Sequence, residues 1–87
     1  MTSKATARFW RCYDQLPASV RATAEKNYEL WKQNPFHPSV QFKEINEGLW
    51  SARITQSYRA LARRRGDLIV WFWIGTHDEY DRLIARL

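Results

Sequence analysis

Apolar positions change their period along the chain. Phe9, Tyr13 and Leu16 recur at spacings of four and three, with Trp10 flanking the same stripe, which predicts a first helix over residues 3–15. Leu16-Pro17 interrupts that pattern. Proline is tolerated in the first turn of a helix but not in its interior, so Pro17 is expected to open a second helix. This helix reads from Pro17 to Gln33, with Val20, Ala24, Tyr28 and Trp31 on one face and Arg21, Glu25, Glu29 and Lys32 toward solvent. Asn34-Pro35 closes it, because a residue before proline avoids helical angles.

Beyond the Phe36-His37-Pro38 linker a period of two takes over. Residues 39–45 begin an alternation at Val40 and Phe42, and Asn46-Glu47-Gly48 supplies a turn. Residues 49–55 place Trp50, Ala52 and Ile54 on one face and Ser51, Arg53 and Thr55 on the other. After Gln56-Ser57, residues 58–63 oppose Tyr58, Ala60 and Ala62 to Arg59, Leu61 and Arg63. Arg64 to Asp67 reads as the next turn. Leu68 to Ile74 is then an unbroken apolar run containing Trp71, Phe72 and Trp73. It is too short to span a membrane and suits a central strand covered on both faces. Gly75 punctuates it. Thr76 with Glu79 three residues on makes a capping box, so a last helix is expected over residues 77–87, with Tyr80, Leu83, Ile84 and Leu87 inward.

Short connections favour antiparallel neighbours. The expected fold is therefore α+β: an N-terminal helical hairpin packed on a four-stranded antiparallel meander sheet, with a short C-terminal helix. Residues 1–87 make a single domain. The hairpin covers one face of the sheet; the other is floored by the middle strands and bounded by the last helix.

Composition narrows the partners. The chain is 45% hydrophobic with five Trp, enough for a globular core and too aromatic for disorder. Cys12 stands alone, so no internal disulfide is expected, and the N-terminal stretch lacks the apolar core of a leader peptide. Cytoplasm is the expected compartment. The net charge is +5, and ten of the fourteen cations are arginine, the residue suited to bidentate contact with phosphate or carboxylate. A basic solvated surface, a nucleic-acid partner and an acidic protein partner all fit this balance.

Arg53 and Arg59 lie on adjacent strands across the Gln56-Ser57 turn and are expected on one face, which Arg63 continues. They are either solvated side chains or a positive surface for a phosphate backbone, where arginine also stabilises a pentacoordinate phosphoryl transition state. His77, at the end of the next strand, is either structural or a proton donor and acceptor. Tyr80 fits core packing and the same site equally well, and Asp78 is most simply a helix-dipole residue. Other chemistries are poorly served. The chain has no glycine-rich phosphate loop, no G-x-S-x-G elbow and no carboxylate dyad; its two His and one Cys lack metal-ligand spacing. An enzyme built from Arg, His and Tyr works without metal or cofactor, and RNA cleavage through the 2′-OH fits that set.

These residues resemble the RelE/ParE superfamily of bacterial toxins from type II toxin–antitoxin modules. The likeness is carried by LPASVRATAEKNYELWKQNPFHPSVQFKEI, the hairpin LWSARITQSYRAL, the long apolar strand and the closing IGTHDEYDRLI. It runs from about Phe9 to the end, and the R-I-x-x-x-Y-R hairpin is its most telling part. Members often begin with a strand; the N-terminus here shows no strand pattern. The resemblance implies a small basic ribonuclease that enters the ribosomal A site, cuts mRNA and is held inactive by a cognate acidic antitoxin. On it, Arg59 matches the stabiliser of the reacting phosphate, Arg53 a second basic hairpin position, and His77 and Tyr80 the groups that assist proton transfer and stacking. Related enzymes also use charged residues on the strand holding Lys43 and Glu44. The expectation is thus a ribosome-dependent mRNA endoribonuclease with Arg59, His77 and Tyr80 catalytic and Arg53, Arg63 and Lys43 on RNA. Its partners would be the antitoxin, the ribosome and mRNA, with no membrane. A ParE-like inhibitor of DNA gyrase and a non-catalytic binding member of the fold are the alternatives.

Overall fold

The apolar run near the C-terminus becomes the longest strand, and the sheet assembles along both its edges. In the computed structural model, which describes residues 1–87, the elements are β1 (Thr2–Ala5), α1 (Ala7–Asp14), α2 (Ala18–Gln33), β2 (Lys43–Asn46), β3 (Leu49–Thr55), β4 (Tyr58–Arg65), β5 (Leu68–Thr76) and α3 (His77–Ile84). The strand order is β1-β5-β4-β3-β2. β2 to β5 form the expected antiparallel meander. No helix is long and apolar enough to cross a membrane.

The sheet has five strands rather than four, because Thr2–Ala5 adds a parallel edge strand to β5, from Thr2 opposite Leu68 to Ala5 opposite Trp71. TSKA carries no apolar alternation to announce this. The strand is held by main-chain hydrogen bonds, continued by Thr2 N–H to Asp67 O and Thr6 N–H to Trp71 O, both 2.9 Å. The first helix is correspondingly shorter than residues 3–15. Thr6 caps it, its hydroxyl accepting from Phe9 N–H at 3.1 Å.

Other boundaries move for local reasons. β2 begins at Lys43, not residue 39, because Gln41 takes a left-handed φ of 49°. Val40 and Phe42 are buried all the same. β4 extends to Arg65, and only Gly66 and Asp67 turn the chain, with Gly66 at φ 57°. α3 ends at Ile84.

The larger core lies between the helical hairpin and the sheet. Ala52, Ala60 and Ala62 present small side chains, which leaves room for rings: Trp31 packs edge-on against Phe42 and Trp71, with centroids 5.7 and 5.5 Å apart. A smaller core on the opposite face joins Leu49, Leu61, Trp73 and Tyr80, and through Tyr80 it docks α3. A bulge lets β5 serve both. Leu61 pairs with Trp73 and Ala62 with Trp71, so Phe72 is the extra residue. The two-residue period slips there, sending Trp71 to the hairpin side and both Phe72 and Trp73 to the other.

Candidate functional site

The face away from the hairpin carries the arginines. Arg53 and Arg59 are paired directly across β3 and β4, and Arg59 is paired in turn with Gly75 of β5. Directly opposed residues share a face, so Lys43, opposite Ser51, lies on this side at the exposed outer edge. The two ion pairs of the molecule are Lys32–Glu29 at 2.9 Å and His77–Asp81 at 3.1 Å; none of the ten arginines has a carboxylate within 4.0 Å. Arg59 is half-buried. Its guanidinium carbon sits 6.0 Å from the Tyr80 ring centroid, and its Nε is buried without a hydrogen-bond partner. A cation partly withdrawn from water and lacking a counter-charge favours an incoming anion.

The β5–α3 corner sets the other groups. Thr76 caps α3: its hydroxyl accepts from Glu79 N–H at 3.1 Å, while Glu79 Oε1 accepts from Thr76 N–H at 3.1 Å and from its hydroxyl at 2.9 Å. The Thr76 main-chain and hydroxyl donors hold the Glu79 carboxyl below the usual carboxylate range. Gly75 is dictated by space. A Cβ there would lie 2.6 Å from Trp73 Cζ2 and 3.1 Å from Glu79 Oε1. His77 N–H donates to Ser57 O at 2.7 Å, which ties the corner to the β3–β4 turn. The His77 side chain is 39% exposed, and its Nδ1 lies 3.1 Å from Asp81 Oδ2. A carboxylate only accepts, so Nδ1 bears the proton and Nε2 is left free. The His77 and Tyr80 rings are 5.6 Å apart.

Tyr80 thus brings Arg59 and His77 to one corner, with Arg53 beside them on the next strand. Arg63 stands farther along β4, over Phe72 at 5.6 Å, and Lys43 remains apart at the edge. Asn27 is a contributor that the periodicity of α2 did not single out. It is buried, and its Nδ2 donates to Arg53 O at 3.2 Å and Ile54 O at 2.8 Å, where β3 departs from regular pairing. An amide between Ala24 and Trp31 on the inward stripe was its only signal. Asp81, the partner of His77, had a clearer one, the i,i+4 spacing. A mostly apolar cleft of about 610 Å³ lies between α1, α2 and the sheet; Arg53 and Asn27 line it, but Arg59, His77 and Tyr80 do not.

Residues 18–82 match the sequence model of the ParE-like toxin domain. The chain belongs to that family. A search of curated proteins finds no match to this ParE-like chain. Solved structures share its fold. A YoeB/ParE toxin from Agrobacterium tumefaciens superposes with a TM-score of 0.68 at 21% identity, over 88% of this chain and 99% of that one. The RelB–RelE antitoxin–toxin complex from Methanococcus jannaschii gives 0.72 at 16% identity, over 90% and 95%. YafQ from E. coli gives 0.69 at 13% identity, over 90% and 94%.

Proposed function

We propose that this ParE-like chain is the toxin of a type II toxin–antitoxin module and cuts mRNA on the translating ribosome. The carrying observation is the convergence of Arg59, His77 and Tyr80 at one corner of a face whose arginines have no carboxylate partners. In RNA the 2′-OH attacks the adjacent phosphorus as its proton leaves, and the 5′-oxygen departs as it gains one. A 2′,3′-cyclic phosphate and a free 5′-OH result, with no cofactor consumed. Arg59 stabilises the charge that grows on the phosphoryl oxygens. His77, oriented by Asp81, uses its free Nε2 to take the first proton or, as imidazolium, to give the second. Tyr80, 7% exposed, acts from beneath, its ring holding Arg59 and His77 in place. Arg53, Arg63 and Lys43 contact the RNA backbone.

An acidic antitoxin is the expected protein partner, which the net charge of +5 and the RelB–RelE complex on the same fold support. The cytoplasm, where ribosomes and mRNA meet, is the expected site of action. A second reading, inhibition of DNA gyrase, is favoured by the match to the ParE-like family.

Primer extension on cellular mRNA, minutes after induction, separates the readings. The nuclease predicts discrete cuts within translated frames that disappear in the Arg59→Ala/His77→Ala double variant. Growth arrest with intact mRNA and blocked supercoiling would replace it with gyrase inhibition. Absence of any arrest would leave a non-catalytic binding member of the fold.

A further inference from the structure

We infer that Arg8 of α1, Arg63 of β4 and Phe72 of β5 form a second phosphate subsite, which grips the RNA backbone away from the Arg59 corner. The inference rests on the RNA-cleaving reading of this face. β1 covers β5 only as far as Trp71, and α1 packs against β5 beyond it. The helix therefore touches both layers: Phe9 and Tyr13 join the hairpin-side core, Cys12 meets both cores, and Arg8 reaches the arginine face. There its guanidinium carbon lies 5.9 Å from the Phe72 centroid, and that of Arg63 lies 5.6 Å from the same centroid.

Phe72 is the bulged residue, and the bulge is what turns its ring to this side. Two like charges are held over one partly buried ring with no carboxylate on either. The ring attracts each guanidinium, whereas the two repel each other, and an anion between or beside them relieves that repulsion. Ordering on the ring also removes side-chain freedom before the ligand arrives, so less entropy is lost on binding. Arg63 is four residues from Arg59, about 13 Å along the strand. A strand whose scissile phosphate sits at Arg59 therefore presents a different phosphate to this pair.

The test uses the full chain and a short single-stranded RNA with every 2′-OH methylated, so that binding is read without cleavage. Fluorescence anisotropy gives Kd against salt concentration. Arg8→Gln and Arg63→Gln should each weaken binding several-fold and flatten the log–log salt slope by about 0.7. Arg21→Gln, on α2 where the Arg21 Nη1 donates to Leu16 O at 2.8 Å on the hairpin side, should leave the slope unchanged. Phe72→Leu should raise Kd while keeping the slope, since it removes ordering but no charge. Equal slopes for Arg8→Gln and Arg21→Gln, or no binding of the probe by the parent chain, would overturn the inference. Cutting of cellular mRNA is scored separately, so loss of the subsite and loss of the nuclease reading give different results.

Discussion

On the hairpin side of the sheet, Ala52, Ala60 and Ala62 stand under the rings of Trp31, Phe42 and Trp71. On the opposite side the alternate residues of the same two strands are Arg53, Arg59, Leu61 and Arg63. The first face packs rings over small side chains and keeps an apolar cleft of about 610 Å³ beneath the hairpin. The second has a small core around Leu61 and Trp73 and leaves its cations without counter-charges. The pleat makes this division possible, since neighbouring residues point to opposite faces and can serve stability and recognition separately. The bulge at Phe72 is where the division is adjusted, placing an extra ring beside the arginines without taking Trp71 from the core.

Substitutions should separate the two faces, and the largest effect on stability belongs to the hairpin side. Trp31→Ala removes a ring that is 2% exposed, stacked on Tyr28 and edge-on to Phe42 and Trp71. Urea unfolding should show a loss of about 3–5 kcal/mol, a large part of the stability of a domain this small. Arg59→Ala should do the reverse. Cleavage measured by primer extension should fall about 10²- to 10³-fold, as for loss of one preorganised electrostatic donor, with the unfolding midpoint little changed. An Arg59→Ala protein that unfolds as readily as Trp31→Ala would erase the contrast.

Asn27 joins the faces, because an amide on the hairpin side holds the carbonyls of Arg53 and Ile54. Asn27→Ala leaves those carbonyls without their side-chain donor and should cost about 1–3 kcal/mol by denaturant titration. It should also weaken RNA binding, by freeing the strand that carries Arg53. Unchanged binding would confine Asn27 to a role in stability.

The sequence made the hairpin, the meander and the α3 cap legible because each rests on a local signal: helical stripes, clean alternation at Trp50-Ala52-Ile54, and the Thr76/Glu79 pair. It left β1 illegible because a four-residue edge strand bonded through its main chain needs no hydrophobic pattern. Arg53, Arg59 and Arg63 could be placed on one face by counting from the Gln56-Ser57 turn. Arg8 could not, since its approach to Phe72 depends on where β1 stops and on a bulge that breaks the two-residue period. Asn27 was hidden for a related reason. Its partners lie 26 and 27 residues away, beyond any local spacing rule.

The smallest expected effect is at the corner that joins β5 to α3, and it depends on pH. The folded chain holds the Glu79 carboxyl below its ordinary range through the Thr76 N–H and hydroxyl. A group whose folded pKa is lowered adds stability above its unfolded value and loses it as pH falls through the folded one. Glu79→Gln keeps the shape but cannot ionise. At neutral pH the parent chain should therefore melt slightly higher than Glu79→Gln, and the gap should close progressively below about pH 4. Glu79 is exposed, so added salt should narrow the neutral-pH gap as well. A gap that stays constant into acid would mean that the carboxylate contributes through shape rather than charge. The contribution of the cap to His77 would then be the fixed start of α3, independent of the state of Glu79.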